Sequence, residues 1–192
     1  MLQREDLWSL ENYSVERPAF RDKVLAHKQN RRVKIGGHVL LIFEDELTIK
    51  YQIQEMLRIE KIFEADGIQE ELDAYNPLIP DGDNLKCSML IQYEEVEERK
   101  RRLSDLVGIE DKIWLRIADG ERIWPIADED LERANETKTS AVHFMRYQLS
   151  AMDIEKAKAG GDITFGIEHV AYPCDDLTVA EATRAALAAD FS

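Results

Sequence analysis

Cysteine occurs only twice in 192 residues, at Cys87 and Cys174, with no CxxC pair and no Cys/His spacing. Zinc-ribbon and thioredoxin chemistry therefore lack support, and both residues read as free thiols. Cys87 falls in an alternating strand pattern and reads as a small buried hydrophobe, with redox sensing as the other reading. Glycine (9) and proline (5) are scarce, which excludes collagen-like and linker-dominated architectures. The longest uninterrupted apolar run, Val39 to Phe43, is far short of the roughly 18 residues that a membrane span needs. The opening residues, Met1 to Trp8, lack a basic segment followed by an apolar one, so they do not read as a secretory leader and the cytosol is the expected location.

What is present is charge and enough apolar surface for a core. Apolar residues make up 44%, too many for wholesale disorder, and the formal charge of −14 argues against generic nucleic-acid binding. That charge is uneven. Seven basic residues between Arg17 and Lys34 face one acid, Asp22, which gives +6 locally and leaves −20 on the rest. Such a segment suits an anion or nucleic-acid site, or a helix that docks on the protein's own acidic surface or on an acidic partner.

No repeat, low-complexity tract or linker interrupts the chain, so a single domain over residues 1–192 is expected. The first 30 residues look helical, with Ser14 as cap and Pro18 in the early turn. Val33 to Ile35 and His38 to Phe43 read as strands joined at Gly36-Gly37, and Leu47 to Tyr51 reads as a third strand after the turn Glu44-Asp45-Glu46. A helical period then runs from Gln52 to Ala65, Gly67 stops it, and a shorter helix carries Ile68, Leu72 and Tyr75. Alternation over Leu85 to Tyr93 marks a strand, and Glu94 to Val107 a helix with acids first and bases later. Asp119-Gly120 predicts a hairpin between Ile113–Ile117 and Arg122–Ile126. Ser140 to Leu149 and Ile163 to Ile167 read as strands, and Thr178-x-x-Glu181 as a capping box opening a last helix. The expected class is α+β, a mainly antiparallel sheet with inserted helices and helical termini.

GxSxG, GxxxxGK[ST], GxGxxG, HExxH and Glu-x-x-His are all absent. On the helix Gln52 to Ala65, Glu60 projects between Met56 and Leu57 on the apolar stripe, with Glu64 one turn on. Carboxylates on a core-facing side need a partner or a proton. An ion pair with Arg31, Arg32 or Arg146, a metal ion, or full solvation through a shifted helix phase would each answer that need. His143 shares a strand face with Ala141, Met145, Tyr147 and Leu149, where it reads as a hydrogen-bonded core histidine or as a ligand or general base. Arg146, on the other face, is the natural counter-ion for the helix carboxylates or a bound anion. The acid-rich stretch Glu70 to Gly82 reads as a structural turn held by Asn76 and Asp81, or as an oxygen-rich cation site.

The stretches Arg31-Arg32-Val33, Phe43-Glu44, Gln52 to Arg58, Glu70 to Gly82 (with its AYNPLIPDG run) and Asp128 to Arg146 together resemble a bacterial domain-of-unknown-function family of stand-alone proteins of about this length. The resemblance covers nearly the whole chain. It transfers no catalytic residue, but it implies a link to redox or peroxide defence, because family members are encoded beside rubrerythrin-type proteins and an iron–sulfur oxidoreductase. Two functions are carried forward. One is a cytosolic, non-catalytic accessory protein whose acidic surface steers an electropositive redox partner. The other is a metal-dependent or anion-binding enzyme whose pocket joins Glu55, Arg58 and Glu60 to His143 and Arg146, with Glu60, Glu64 and His143 as metal-ligand candidates.

Overall fold

The structure, a computed structural model, describes residues 1–131, 133–135 and 137–192. Its contacts divide the chain into two units, Met1–Asn30 with Glu44–Pro80, and Arg31–Phe43 with Asp81–Ser192.

The first unit is helical. A 3-10 turn at Arg4–Asp6 precedes α1 (Leu10–Gln29), which Ser9 caps by accepting the Asn12 N–H. The helix therefore begins earlier than the Ser14 cap predicts, and Pro18 lies in its interior. α2 (Glu46–Glu60) replaces the expected turn and strand at Glu44 to Tyr51. Asp45 and Thr48 close a reciprocal cap there, each side chain accepting the other's backbone N–H at 2.9 Å. Leu47, Ile49 and Tyr51 alternate, but Ile49 also stands at helical spacing with Ile53 and Leu57, and the cap decides between the two periods. Lys61, left-handed at φ 57°, ends α2 at Glu60, short of the expected end at Ala65. α3 (Ala65–Tyr75) follows, with Gly67 in its first turn, and a 3-10 turn at Asn76–Leu78 leads out. Ile49, Ile53, Leu57 and Leu72 bury together with Leu2 and Ile79, while Tyr13, Phe20 and Val24 form a second cluster against Trp8 and Tyr51. The Asn76 side chain ties down the amino terminus by accepting the Leu2 N–H and donating to the Leu2 carbonyl.

The second unit holds the sheets. β1 (Arg32–Ile35), β2 (Val39–Phe43), β3 (Asn84–Ile91), β5 (Ile126–Ala127) and β6 (Val142–Gln148) form an antiparallel sheet in the order β1-β2-β3-β6-β5. β4 (Ile113–Ile117), β7 (Ile163–His169) and β8 (Tyr172–Thr178) form a second antiparallel sheet in the order β4-β7-β8. Helices α4 (Val96–Asp105), α5 (Ala151–Lys158) and α6 (Glu181–Ala188) are inserted between strands or follow them. The chain thus has the expected α+β class.

Alternation along β3 buries Leu85, Cys87, Met89 and Ile91, and along β6 it buries His143, Met145 and Tyr147. Phe165 of β7 meets Phe43 of β2 and Tyr147 of β6, with ring centroids at 5.7 and 6.1 Å. The buried Tyr147 hydroxyl donates to the Ile113 carbonyl at 2.9 Å, and burial raises its phenol well above the ordinary value.

Two predicted elements differ. The Asp119-Gly120 turn forms, with the Gly120 N–H on the Ile117 carbonyl, but its return arm makes only one bridge, Leu115 to Ile123, before the chain crosses to β6 as β5. β7 takes the ladder on β4 that the hairpin would have used. Thr178 closes β8 rather than capping α6. Its hydroxyl meets that of Thr164, and Ala180 occupies the cap position.

On β4 and β7 Trp114 stands opposite Gly166, and a Cβ at Gly166 would lie 2.2 Å from the indole ring. Arg122 and Arg116 stack their guanidinium groups on that indole at 4.4 and 5.3 Å and pair with Glu168 and Asp176. Gly166→Ala forces this layer apart. We expect it to lose about 2 kcal/mol of unfolding free energy, read as a lower urea midpoint at unchanged slope.

Candidate functional site

The second unit buries a chain of polar groups centred on His143, which is fully shielded from solvent. Its Nδ1 lies 2.6 Å from Asp128 Oδ2, and its Nε2 lies 2.8 Å from Thr139 Oγ1 and 3.1 Å from the Ser140 carbonyl. The Thr139 hydroxyl donates to Glu110 Oε2 at 3.1 Å. Each ring nitrogen thus has a hydrogen-bond partner, the Asp128 carboxylate at Nδ1 and, at Nε2, the Thr139 hydroxyl that links the ring to Glu110.

Asp128 is held from several directions. Its Oδ1 accepts the Phe144 N–H and an Arg133 N–H, its own N–H donates to the Phe144 carbonyl, and its φ of 52° is a left-handed value uncommon outside glycine. An Asp–His–Thr succession of this kind has the spacing of an orienting acid, a base and a nucleophilic hydroxyl, although here the Thr139 hydroxyl also donates to Glu110. Thr139 is 2% exposed. His143 itself was legible from strand phase. Asp128, Thr139 and Glu110 were not, since 15 and 29 residues separate the bonded pairs His143–Asp128 and Thr139–Glu110 and no local motif joins them.

The first unit has its own ionic node. Glu55, half-buried on α2, accepts Arg17 Nε and Nη2 at 2.7 and 2.9 Å, the Tyr13 hydroxyl at 2.8 Å, and two longer bonds from Arg58. The Arg17 guanidinium, aided by Arg58 and Tyr13, holds the Glu55 carboxyl at about 2, although burial works against it. Burial, reinforced by the Glu55 charge, pushes the Tyr13 phenol upward.

The remaining sequence candidates fall elsewhere. Glu60 is the last residue of α2 and Glu64 precedes α3 without a side-chain capping bond, and both are exposed, so their placement on the core side of one helix through Ala65 is corrected. Arg31 pairs with Asp190 at 2.5 Å rather than with either of them. Arg146 forms a two-pronged bond to Glu129 at 2.8 and 2.7 Å and reaches Gln148, and its guanidinium holds the Glu129 carboxyl below the usual range. Glu55, Arg58 and Glu60 thus belong to one unit, and His143 and Arg146 to the other. Asn76 bonds the backbone of Leu2, and the Asp81 carboxylate accepts from the side chains of Asn84 and Lys86. Among the described residues, no three His, Cys, Asp or Glu side chains gather as a metal site, and no helix is long and apolar enough to cross a membrane.

The profile of the family described as "Protein of unknown function (DUF3501)" matches residues 1–191. The chain belongs to this family. It is also similar to a structure described as a novel protein of unknown function from Burkholderia pseudomallei K96243, at 49% identity, with a TM-score of 0.94 and coverage of 100% of this chain and 99% of that one. No curated protein matches.

Within this DUF3501 chain the Glu55 node makes a pH-dependent contribution with a definite sign. Its folded value lies below the ordinary carboxylate value, so its stabilisation is full above about pH 5 and declines as pH falls towards about 2. Urea titrations across that range should show a smaller loss of stability on acidification in Glu55→Gln than in the parent protein.

Proposed function

We propose that this DUF3501 protein is a cytosolic, non-catalytic accessory protein that docks on an electropositive redox partner, of the rubrerythrin or iron–sulfur oxidoreductase class. One observation carries the reading, an acidic stretch with a single cation, Lys61, among its carboxylates. Glu60, Glu64, Asp66, Glu70, Glu71 and Asp73 follow one another along the end of α2 and through α3, and among the described residues none of them makes an ion pair. Burial, with the neighbouring charges of Glu60 and Glu70, raises the Glu71 carboxyl above its usual range. On a chain of net charge −14, carboxylates held together without counter-ions favour a basic visitor and speed its arrival.

The test uses a purified rubrerythrin-type protein and a purified iron–sulfur oxidoreductase from the same organism. The expected result is an association rate with at least one of them that falls about tenfold or more from low to physiological salt, and that falls again in Glu64→Lys/Glu70→Lys. Lack of binding to both at low salt overturns the partner assignment.

A second reading, an enzyme working by acid–base or nucleophilic chemistry, is favoured by the Asp128–His143–Thr139 succession. If it holds, a fluorophosphonate probe should label Thr139 in the parent protein and lose at least about 90% of that labelling in His143→Gln. An unlabelled parent protein counts against it.

A further inference from the structure

The first unit carries a cleft of about 200 Å³ at the start of α1. Trp8, Leu10, Leu57, Ile62, Phe63 and Ile68 give it apolar walls, and its polar lining is Arg4 and Ser9. An apolar space of about 150 Å³ is enough for a benzene ring. This cleft therefore has room for one ring with a short polar head, and is too small for the larger ligands that fill sites of about 300–1,000 Å³. Two of its walls, Trp8 and Phe63, are aromatic, which favours an aromatic body over an aliphatic one. Phe63 is 70% exposed, so a ligand reaches that wall directly from solvent.

The polar lining consists of donors. Arg17 and Arg58 of the same unit are bonded to Glu55, but the Arg4 guanidinium has no hydrogen bond or ion pair among the described residues. Ser9 Oγ accepts the Asn12 N–H at 3.2 Å, and its own hydrogen is left to donate. Ser9 is also the cap of the 20-residue α1 and Leu10 its first residue, so the amide N–H groups without an intrahelical acceptor, and the positive end of the helix dipole, lie at the same wall. Lys50 adds a cation, its Nζ 4.3 Å from the centre of the Trp8 ring. No carboxylate lines the cleft. A cationic ligand would meet like charge here, and a neutral one would leave the guanidinium uncompensated. A carboxylate accepts from Arg4 and Ser9 together, through bonds about twice as strong as those between neutral groups.

We infer that this cleft binds a small aromatic carboxylic acid, its ring against the apolar walls at Trp8 and Phe63 and its carboxylate on Arg4 and Ser9. The inference goes beyond the accessory reading and does not depend on it. Arg4 selects for charge, and the walls select for a body of one ring.

The probe is phenylacetate, titrated into the whole protein and followed by the Trp8 indole N–H resonance, which Trp8→Phe assigns. Phenylacetamide, 2-phenylethylamine and acetate remove in turn the charge, its sign and the ring. The expected result is a saturable shift with phenylacetate and affinity about tenfold weaker for phenylacetamide and in Arg4→Gln. Acetate and 2-phenylethylamine should not saturate over the same range. Arg4 and Phe63 are both exposed, so Arg4→Gln and Phe63→Ala should keep the parent's urea midpoint, and Phe63→Ala should also weaken phenylacetate. No saturable shift, equal or tighter binding of phenylacetamide, 2-phenylethylamine or acetate, or an unchanged affinity in both variants overturns the inference. Tighter binding of the peptide Gly-Gly-Phe, lost in Arg4→Gln, would make the end of a polypeptide the occupant and overturns the small-acid assignment.

Discussion

A guanidinium sealed from water must have its donors met inside the protein, and Arg31, 1% exposed, meets this requirement by drawing together distant parts of the second unit. Its Nε donates to the Phe43 carbonyl, Nη1 to the Ala186 carbonyl, and both terminal nitrogens reach Asp190. The Phe43 N–H returns a bond to the Arg31 carbonyl, so the base of the β1–β2 hairpin is closed from both sides. The same side chain thus anchors the carboxy-terminal helix, 155 residues away in sequence, to the first hairpin of the sheet. The pattern of buried strands in the five-stranded sheet assumes a hairpin fixed in register at that edge, and the Arg31–Asp190 contact is what fixes its open end.

The two ionic centres of the chain differ in kind. Around His143, the ring and the Thr139 hydroxyl are buried and Asp128 and the Ser140 carbonyl partly so, and the contacts connect the Ile109–Asp111 turn, the residue after β5 and the entry to β6. Such a network fixes loops in one arrangement, because moving any member leaves another unsatisfied in a medium that cannot solvate it. The Glu55 node is shallower, and its acid is heavily outnumbered by donors. The acidic stretch at the end of α2 and through α3 is the reverse case, with acids that make no ion pair among the described residues. The uneven charge noted in the sequence therefore resolves into local surpluses rather than a uniform coat.

Much of the fold was legible because it rests on short periods. The alternation of Leu85, Cys87, Met89 and Ile91, the face shared by His143, Met145 and Tyr147, and the Gly36-Gly37 turn each follow from residues within a few positions of one another. Where two periods fit the same residues, a single local bond decided the outcome. Leu47 to Tyr51 alternate like a strand, yet the Asp45–Thr48 cap starts a helix through them. Left-handed Lys61 then ends the helix at Glu60, so Glu60 lies at its exposed end and Glu64 lies beyond it, which is why the carboxylates read as buried are solvated. β8 went unnoticed because Tyr172 to Thr178 carries Pro173 and two acids and buries little. It is an edge strand paired on one side only. Asp128, which holds His143, and Ala186 and Asp190, which hold Arg31, come from 15 to 159 residues away, and no local pattern encodes them.

The interleaving of the two units also bears on the order of assembly. Residues 31–43 are made early, but the strand they pair with, β3, begins only at Asn84, and the stretch between them, Glu44–Pro80, belongs to the helical unit. During synthesis the Val39–Phe43 edge therefore spends the time needed to make some 40 further residues without its neighbour, in a segment that is entirely apolar. The helices made in that interval draw on nearby contacts and form fast. A nascent chain of this protein would thus hold a finished helical body and an open, sticky hairpin at once, and the point of greatest aggregation risk lies just before β3 leaves the ribosome.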